Sequence, residues 1–182
     1  NNIRLASYMP INQLQEGIYL ENCQKVTVIS NTQQPLSGSM RNYTNAGGIW
    51  AQKSPACYIS CNVNDMIGYG IKCSGPMPDT KLYNNKLKNN GRGIWLANAA
   101  IIGPKGDNLN PTYNEWVGNF TAKMYSSNAT DGLQSPFWVK NSPPKFNPSS
   151  SNSFDGSGSL VLIHPTQFGS NIAPACPVTL IG

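Results

Sequence analysis

Short runs of alternating apolar and polar residues recur along the chain, and four of them open with a glycine followed by an isoleucine. These openings are 17–20, 48–51, 70–73 and 93–96, and their glycines are 31, 22 and 23 residues apart. Because side chains alternate along a strand, the isoleucine and the residue two positions later point to the same side. That set is apolar in every opening: Ile18/Leu20, Ile49/Ala51, Ile71/Cys73 and Ile94/Leu96.

A second short run follows each of the first three openings, at 26–28, 57–59 and 81–83. Each run reaches an asparagine, namely Asn31, Asn62 and, after one inserted residue, Asn85. A glycine at each opening permits a tight corner. An asparagine at the other corner tolerates left-handed backbone and, in register, forms a hydrogen-bonded ladder.

This pattern predicts an all-β chain. A period near 22 residues with two or three short strands is typical of a solenoid, and the leucine ladder of leucine-rich repeats is absent. We therefore predict a right-handed parallel β-helix of about four or five coils over residues 1–120. Residues 121–182 are predicted to form an irregular Ser/Pro/Gly-rich C-terminal cap, with short strands at 136–139 and 160–163. We expect the coils to continue upstream in a longer parent protein.

Composition excludes several classes of protein. Charged residues make up 12% of the chain, and the net charge of +5 comes from scattered basic residues. No Lys/Arg run indicates a nucleic-acid surface, and no apolar stretch is long enough to cross a bilayer. The chain begins at Asn1 without an initiator Met, which favours a processed protein or a piece of a larger one.

The segment GIYLENCQKVTVISNT, residues 17–32, resembles the repeat unit of right-handed parallel β-helix proteins, the broad group that includes pectate-lyase-like chains. The segment from 116 to 178 resembles the end of β-helix domains in large bacterial surface proteins that use the type IX secretion route. These resemblances imply an extracellular or cell-surface location and a larger parent polypeptide. They imply no particular activity, because proteins with this fold have many different functions.

The outward position between the two core residues of each opening holds Tyr19, Trp50, Lys72 or Trp95. Stacked coils would align these four side chains in one column. Flat aromatic rings can stack on sugar faces, so we predict that these residues bind a ligand. The alternative is a surface ladder in which neighbouring aromatic side chains shelter one another, with the Lys72 ammonium over Trp50 or Trp95.

A catalytic constellation is not found in the sequence. Glycoside hydrolysis needs two carboxylates at a defined separation, and Asp65 stands without a matching acidic motif. Lyase chemistry needs a base beside a Ca²⁺ site, and Asp107 lies in a loop better explained as a turn. His164 has no Ser or Cys partner motif. We predict no metal and no cofactor, and the sequence favours a non-enzymatic protein without deciding the question.

The five cysteines are predicted to be mainly core residues. Cys73 occupies the inward position of an opening, and Cys57 and Cys61 share the parity of Ile59. Cys176 is the candidate for a disulfide in an oxidising setting, with no partner selected by the sequence.

The function predicted from the sequence is a non-catalytic structural or adhesive module that presents a rigid polar face to a polysaccharide or to another surface protein. Nucleic-acid binding and membrane insertion are not expected. Two alternatives stay open. The chain could be the C-terminal part of a polysaccharide lyase or glycoside hydrolase whose catalytic coils lie upstream, or a segment of a trimeric fibre similar to a phage tailspike.

Overall fold

The structure is a computed structural model that describes residues 2–5, 15–103, 112–126, 137–139, 154–155, 163–165 and 176. Every regular element within these residues is a β-strand. In chain order the strands are β1 (Asn2–Leu5), β2 (Gln15–Glu21), β3 (Thr27–Ile29), β4 (Thr32–Pro35), β5 (Ala46–Gln52), β6 (Tyr58–Ser60), β7 (Val63–Asp65), β8 (Tyr69–Met77), β9 (Lys81–Tyr83), β10 (Lys86–Lys88), β11 (Arg92–Ile102), β12 (Glu115–Val117), β13 (Ala122–Ser126), β14 (Phe137–Val139), β15 (Phe154–Asp155) and β16 (Ile163–Pro165).

The strands form three parallel sheets and one separate pair. Sheet A has the order β1-β4-β7-β10-β12, sheet B the order β15-β13-β11-β8-β5-β2, and sheet C the order β3-β6-β9, while β14 pairs with β16. From β1 to β9 the chain visits sheets A, B and C in rotation, and each strand pairs in parallel with its counterpart in the next round. This all-β arrangement is compatible with a parallel β-helix.

The four isoleucines of the glycine openings lie in a single file, as predicted. Ile18 pairs with Ile49, Ile49 with Ile71, and Ile71 with Ile94. The next inward positions stack in the same way, in the order Leu20, Ala51, Cys73, Leu96. Both files belong to one apolar core cluster. Full burial of an isoleucine contributes about 1.5–3 kcal/mol, and of the four only Ile18 is partly buried. The repeated pattern therefore builds the core round by round.

The register of sheet C differs from the sequence-based alignment. Val28 pairs with Ile59, and Ile59 with Leu82. Each of these residues is three positions before Asn31, Asn62 or Asn85. The predicted insertion before Asn85 was therefore wrong, because the third strand had been aligned one residue out of register.

Sheet A supplies the third strand of each round, and its interior is partly polar. The inward file runs from Gln33 to Asn64, Leu87 and Trp116. Gln33 and Asn64 are fully buried, and their side-chain polar atoms have no hydrogen-bond partner among the described residues. The apolar alternation that marks sheet B is therefore missing here, which explains why the sequence pattern did not locate these strands.

The asparagine ladder exists and has a fourth member. Asn31 donates through Nδ2 to Asn62 Oδ1, Asn62 to Asn85, and Asn85 to Asn114, each at 3.0 Å. The left-handed residue of this corner is not the asparagine. It is the residue before it: Ser30, Cys61, Asn84 and Tyr113, with φ between 53° and 56°. The prediction was wrong on that point because the amides serve to cap stacked strands and the preceding residue turns the chain.

A glycine corner is required where sheet A meets sheet B. A Cβ added to Gly48 would overlap the side chain of Asn64, and one added to Gly70 would overlap Leu87. These two glycines therefore leave room for an inward side chain of the next sheet A strand along the chain, β7 for Gly48 and β10 for Gly70, as expected for a tight corner.

The cysteines follow the prediction except at one position. Cys57 and Cys73 are buried in the core. Cys61 does not point inward: it has φ of 56° and forms a disulfide with Cys176, with the Cα atoms 5.6 Å apart. The left-handed turn breaks the alternation after Ile59, so parity could not be extended from that strand to Cys61.

Sheet B continues through β13, which pairs with β11, and β15, which pairs with β13. The predicted strand at 136–139 matches β14, Phe137–Val139. The other predicted strand overlaps β16 only at Ile163, and its residues 160–162 lie outside the described residues.

Candidate functional site

The four predicted site residues lie in register on the outer side of sheet B. Tyr19 pairs with Trp50, Trp50 with Lys72, and Lys72 with Trp95. Tyr125 on β13 adds a fifth position because it pairs with Trp95. We call this set the outer column. Tyr19 is 45% exposed, and the other four side chains are partly buried.

Lys72 lies between the two indoles. Its Nζ is 3.9 Å from the ring centroid of Trp50 and 4.3 Å from that of Trp95. The electron-rich faces of aromatic rings attract an ammonium at such distances. Lys72 therefore continues the column at the one position between Tyr19 and Trp95 that is not aromatic, and the two indoles hold its charge at a fixed position.

Ring contacts extend the column at both ends. The centroids of Tyr19 and Trp50 are 4.9 Å apart with the rings tilted by 51°. Those of Trp95 and Tyr125 are 5.6 Å apart at 69°. These are the offset and edge-to-face geometries that aromatic quadrupoles favour, and they restrict the rotamers of all four rings.

A second row of side chains borders the outer column three positions earlier on each strand. Glu16, Gly47, Tyr69 and Arg92 follow one another in register. The buried ring of Tyr69 lies across Gly47, where a Cβ would overlap it, and its hydroxyl donates to Glu16 Oε1 at 2.5 Å. Tyr69 also contacts Trp95 edge to face, at 5.6 Å and 80°. The pattern of the glycine openings did not predict this row, because it covers no position before the glycine.

Three titratable groups of this region, Glu16, Lys72 and Tyr69, have shifted pKa values. Partial burial raises the pKa of Glu16, although the hydrogen bond from Tyr69 and the charge of Lys72 oppose that shift. Desolvation lowers the pKa of Lys72, against the attraction of Glu16 and together with the repulsion of Arg92. Burial, aided by the acceptor Glu16, raises the pKa of Tyr69 and keeps it a hydrogen-bond donor.

Arg92 joins the second row to the outer column. Its Cζ lies 4.7 Å from the ring centroid of Trp95 and 4.2 Å from that of Tyr125. Guanidinium groups stack well on aromatic faces because they are planar and weakly hydrated. The outer face of sheet B therefore alternates rings with two cations over five stacked strands.

The other candidate residues show no catalytic arrangement in the described part of the chain. Asp65 forms an ion pair with Lys88, with Nζ and Oδ2 2.6 Å apart. Asp107 and the side chain of His164 lie outside the described residues. Among the residues that were placed, no group of three His, Cys, Asp or Glu side chains could hold a metal ion, and no helix is long and apolar enough to span a membrane.

Comparisons with protein-family models, with curated proteins and with solved structures found no match to this chain.

Proposed function

We propose that the chain is a non-catalytic adhesive module of a secreted or cell-surface bacterial protein, and that its outer column binds a polysaccharide. The observation that carries this proposal is the alignment of Tyr19, Trp50, Lys72 and Trp95 on one partly exposed face. Sugar rings present apolar C–H faces and polar edges, which suit aromatic side chains bordered by hydrogen-bonding groups.

The spacing of the outer column supports contact with an extended chain. Stacked parallel strands lie about 4.8 Å apart, so the column from Tyr19 to Tyr125 spans four strand intervals. Polar side chains border it, including Glu21, which accepts a hydrogen bond from Gln52 Nε2 at 3.1 Å. A linear glycan along the coil axis would meet rings, cations and amides in succession.

Rigidity supports the same function. The rings contact one another, Lys72 is held between two indoles, and the asparagine ladder ties successive rounds together. Because these side chains are ordered before binding, a ligand would lose less affinity to the ordering of flexible groups.

We infer a right-handed parallel β-helix of about four or five coils, since parallel crossovers within a sheet are right-handed in nearly all proteins. The resemblances of segments 17–32 and 116–178 suggest the pectate-lyase-like group and a type IX surface protein. The Cys61–Cys176 disulfide supports an oxidising location outside the cytoplasm.

The test is a soluble glycan array with the full chain and the double variant Trp50→Ala, Trp95→Ala. We expect the variant to bind its best glycan about 30-fold more weakly, because each ring contact is worth about 1 kcal/mol. The matched control is Tyr58→Ala with Tyr83→Ala, which removes an aromatic pair with centroids 6.3 Å apart on sheet C. Equal binding by wild type and the Trp50/Trp95 variant would overturn the proposal.

A further inference from the structure

A cavity of about 230 Å³ lies beside the outer column. Its lining includes the residues Arg41, Asn42, Thr44, Arg92 and Thr121. Two glycines, Gly68 and Gly91, complete the wall. The described residues that line the cavity therefore include two arginines and three neutral polar residues, and none of these described residues is acidic.

The positive charge of this cavity is not balanced by the described residues. The ion pair of the described part joins Lys88 to Asp65, and neither Arg41 nor Arg92 forms one with a described carboxylate. Arg41 Nε is also buried without a hydrogen-bond partner among these residues. A partly desolvated guanidinium group interacts more strongly with a nearby charge than one in water does. An anionic ligand would therefore balance the charge of Arg41 and Arg92.

The loop that carries Arg41 is held in a fixed position. The Met40 N–H donates to the Met66 carbonyl at 2.8 Å, and the Tyr43 N–H donates to the Met40 carbonyl at 2.9 Å. Met40 packs with Ala46 and Ile67 in a small apolar cluster.

Two glycines allow this loop to approach the coils. A Cβ on Gly91 would overlap the Arg41 carbonyl, and a Cβ on Gly68 would overlap the Tyr43 carbonyl. The backbone beneath the cavity is therefore shaped to bring Arg41 to the same wall as Arg92.

Arg92 connects this cavity to the outer column, because its guanidinium stacks on Trp95 and Tyr125. Stacking uses the face of the guanidinium, whereas its N–H donors lie in its plane. We infer that the cavity binds the anionic group of an acidic sugar, a carboxylate or a sulfate ester, within a glycan that lies along the outer column. This inference rests on the proposed function and narrows its ligand to acidic polysaccharides.

The chemistry of arginine favours this ligand class. Guanidinium groups bind carboxylate and sulfate-like oxygens through paired N–H donors. The hydroxyls of Thr44 and Thr121 and the amide of Asn42 can bind the neighbouring hydroxyls of a sugar ring. A neutral glycan would leave the charge of both guanidinium groups without a counterion.

The experiment measures affinity by titration calorimetry at low salt with the full chain. The probes are a uronic-acid hexamer and its carboxyl-reduced counterpart, and a sulfated dextran and its neutral dextran. We expect the acidic member of one pair to bind about tenfold or more tightly than its neutral member, since hydrogen bonds to charged groups are worth about 1.5–3 kcal/mol. The pair that responds identifies the anionic group as a carboxylate or a sulfate ester.

Two variants test the cavity itself. Arg41→Gln should weaken binding of the acidic probe about tenfold or more and leave the neutral probe unchanged. Asn42→Asp changes an exposed side chain at the cavity wall and should have the same selective effect through repulsion, which keeps the test valid if Arg41→Gln does not fold. The control Lys81→Gln removes the same positive charge as Arg41→Gln, but at an exposed position of sheet C. It should weaken binding of the acidic probe far less.

The outcomes separate this inference from the proposed function. Equal affinity for acidic and neutral probes, or no binding of either acidic probe, would overturn the acidic-sugar inference, while array binding that depends on Trp50 and Trp95 would still support the column. If binding of the acidic probe weakens with Arg41→Gln but not with the tryptophan double variant, the cavity binds the anionic group and the outer column does not bind the glycan.

Discussion

At the scale of residues, the structure couples charge to aromatic packing. Lys72 is desolvated between Trp50 and Trp95, and Glu16 is desolvated beneath the hydroxyl of Tyr69. Each group loses water but gains a partner that fixes its position. The outer face of sheet B is thus ordered by interactions of its own, before any ligand is considered.

The Glu16 carboxyl should give stability a pH dependence. Its pKa is higher in the folded protein than in the unfolded chain, so folding favours the protonated form. That contribution is complete below the unfolded pKa of about 4.3 and is lost as pH rises through the folded pKa. The free energy of unfolding of wild type minus that of Glu16→Gln should therefore fall as pH rises through this window. Glutamine keeps the oxygen that accepts from Tyr69.

Urea denaturation across this pH range measures the difference in the free energy of unfolding between wild type and Glu16→Gln. The pH at which the Glu16 carboxyl titrates is measured by ¹³C NMR. The variant Tyr69→Phe removes the hydrogen bond that lowers the pKa of Glu16. The titration should then move to higher pH. A Glu16 titration at or below the ordinary glutamate value in the wild type would contradict this account.

At the scale of elements, the corners are built from stacked residues of like conformation. The amides of the asparagine ladder bind one another and also donate to strand carbonyls, as Asn85 Nδ2 does to the Ile59 carbonyl at 2.8 Å. The left-handed residue in front of each amide turns the chain between sheets C and A. Each corner is therefore stabilised by its neighbours above and below.

Replacing a central asparagine of the ladder should destabilise two successive rounds. Asn85→Ala removes the acceptor of the Asn62 N–H and Nδ2 groups, at 3.1 and 3.0 Å, and one donor to Asn114. Buried groups left without partners cost about 1–3 kcal/mol each. We expect the free energy of unfolding to fall by about 3 kcal/mol, measured by urea denaturation.

The control is Asn119→Ala, because that side chain is exposed. Its effect should stay within about 0.5 kcal/mol. If both variants had the same small effect, the ladder would not contribute to stability as described.

At the scale of the whole molecule, three sheets share one core, and a disulfide joins distant parts of the chain. Cys61 and Cys176 are separated by 115 residues. Asn84 Nδ2 donates to both sulfurs, at 3.6 Å to Cys61 and 3.2 Å to Cys176. Strand pairing joins each round to the next, whereas this bond connects the corner between sheets C and A to residue 176.

Breaking the disulfide should destabilise the protein. A cross-link over a long loop restricts the unfolded chain, and its loss costs about 2–4 kcal/mol. We expect Cys176→Ser to lower the free energy of unfolding by this amount, with Cys23→Ser, a free and partly buried thiol, as the control. Peptide mapping without reductant should recover Cys61 linked to Cys176. Recovery of Cys176 linked to another cysteine would contradict the structure.

The amino-acid pattern was enough to predict the isoleucine file, the asparagine ladder and the alignment of Tyr19, Trp50, Lys72 and Trp95. These features repeat in every round, and a strand alternates its side chains regardless of what lies beyond it. Once the rounds stack in parallel, residues at equal positions become neighbours. The local pattern was therefore sufficient for them.

Other features depend on contacts between residues that are distant in sequence, and the repeat did not predict them. The sheet A strands were not predicted because Gln33 and Asn64 are polar, and their burial depends on neighbouring rounds. The left-handed turn at Cys61 interrupts the alternation of inward and outward side chains, which a local pattern does not predict. Arg41 and Arg92 share a cavity, and Cys61 meets Cys176, although each pair is distant in sequence. Such contacts depend on how strands, corners and loops are placed in space. A sequence repeat predicts only which positions of the repeated strands become neighbours.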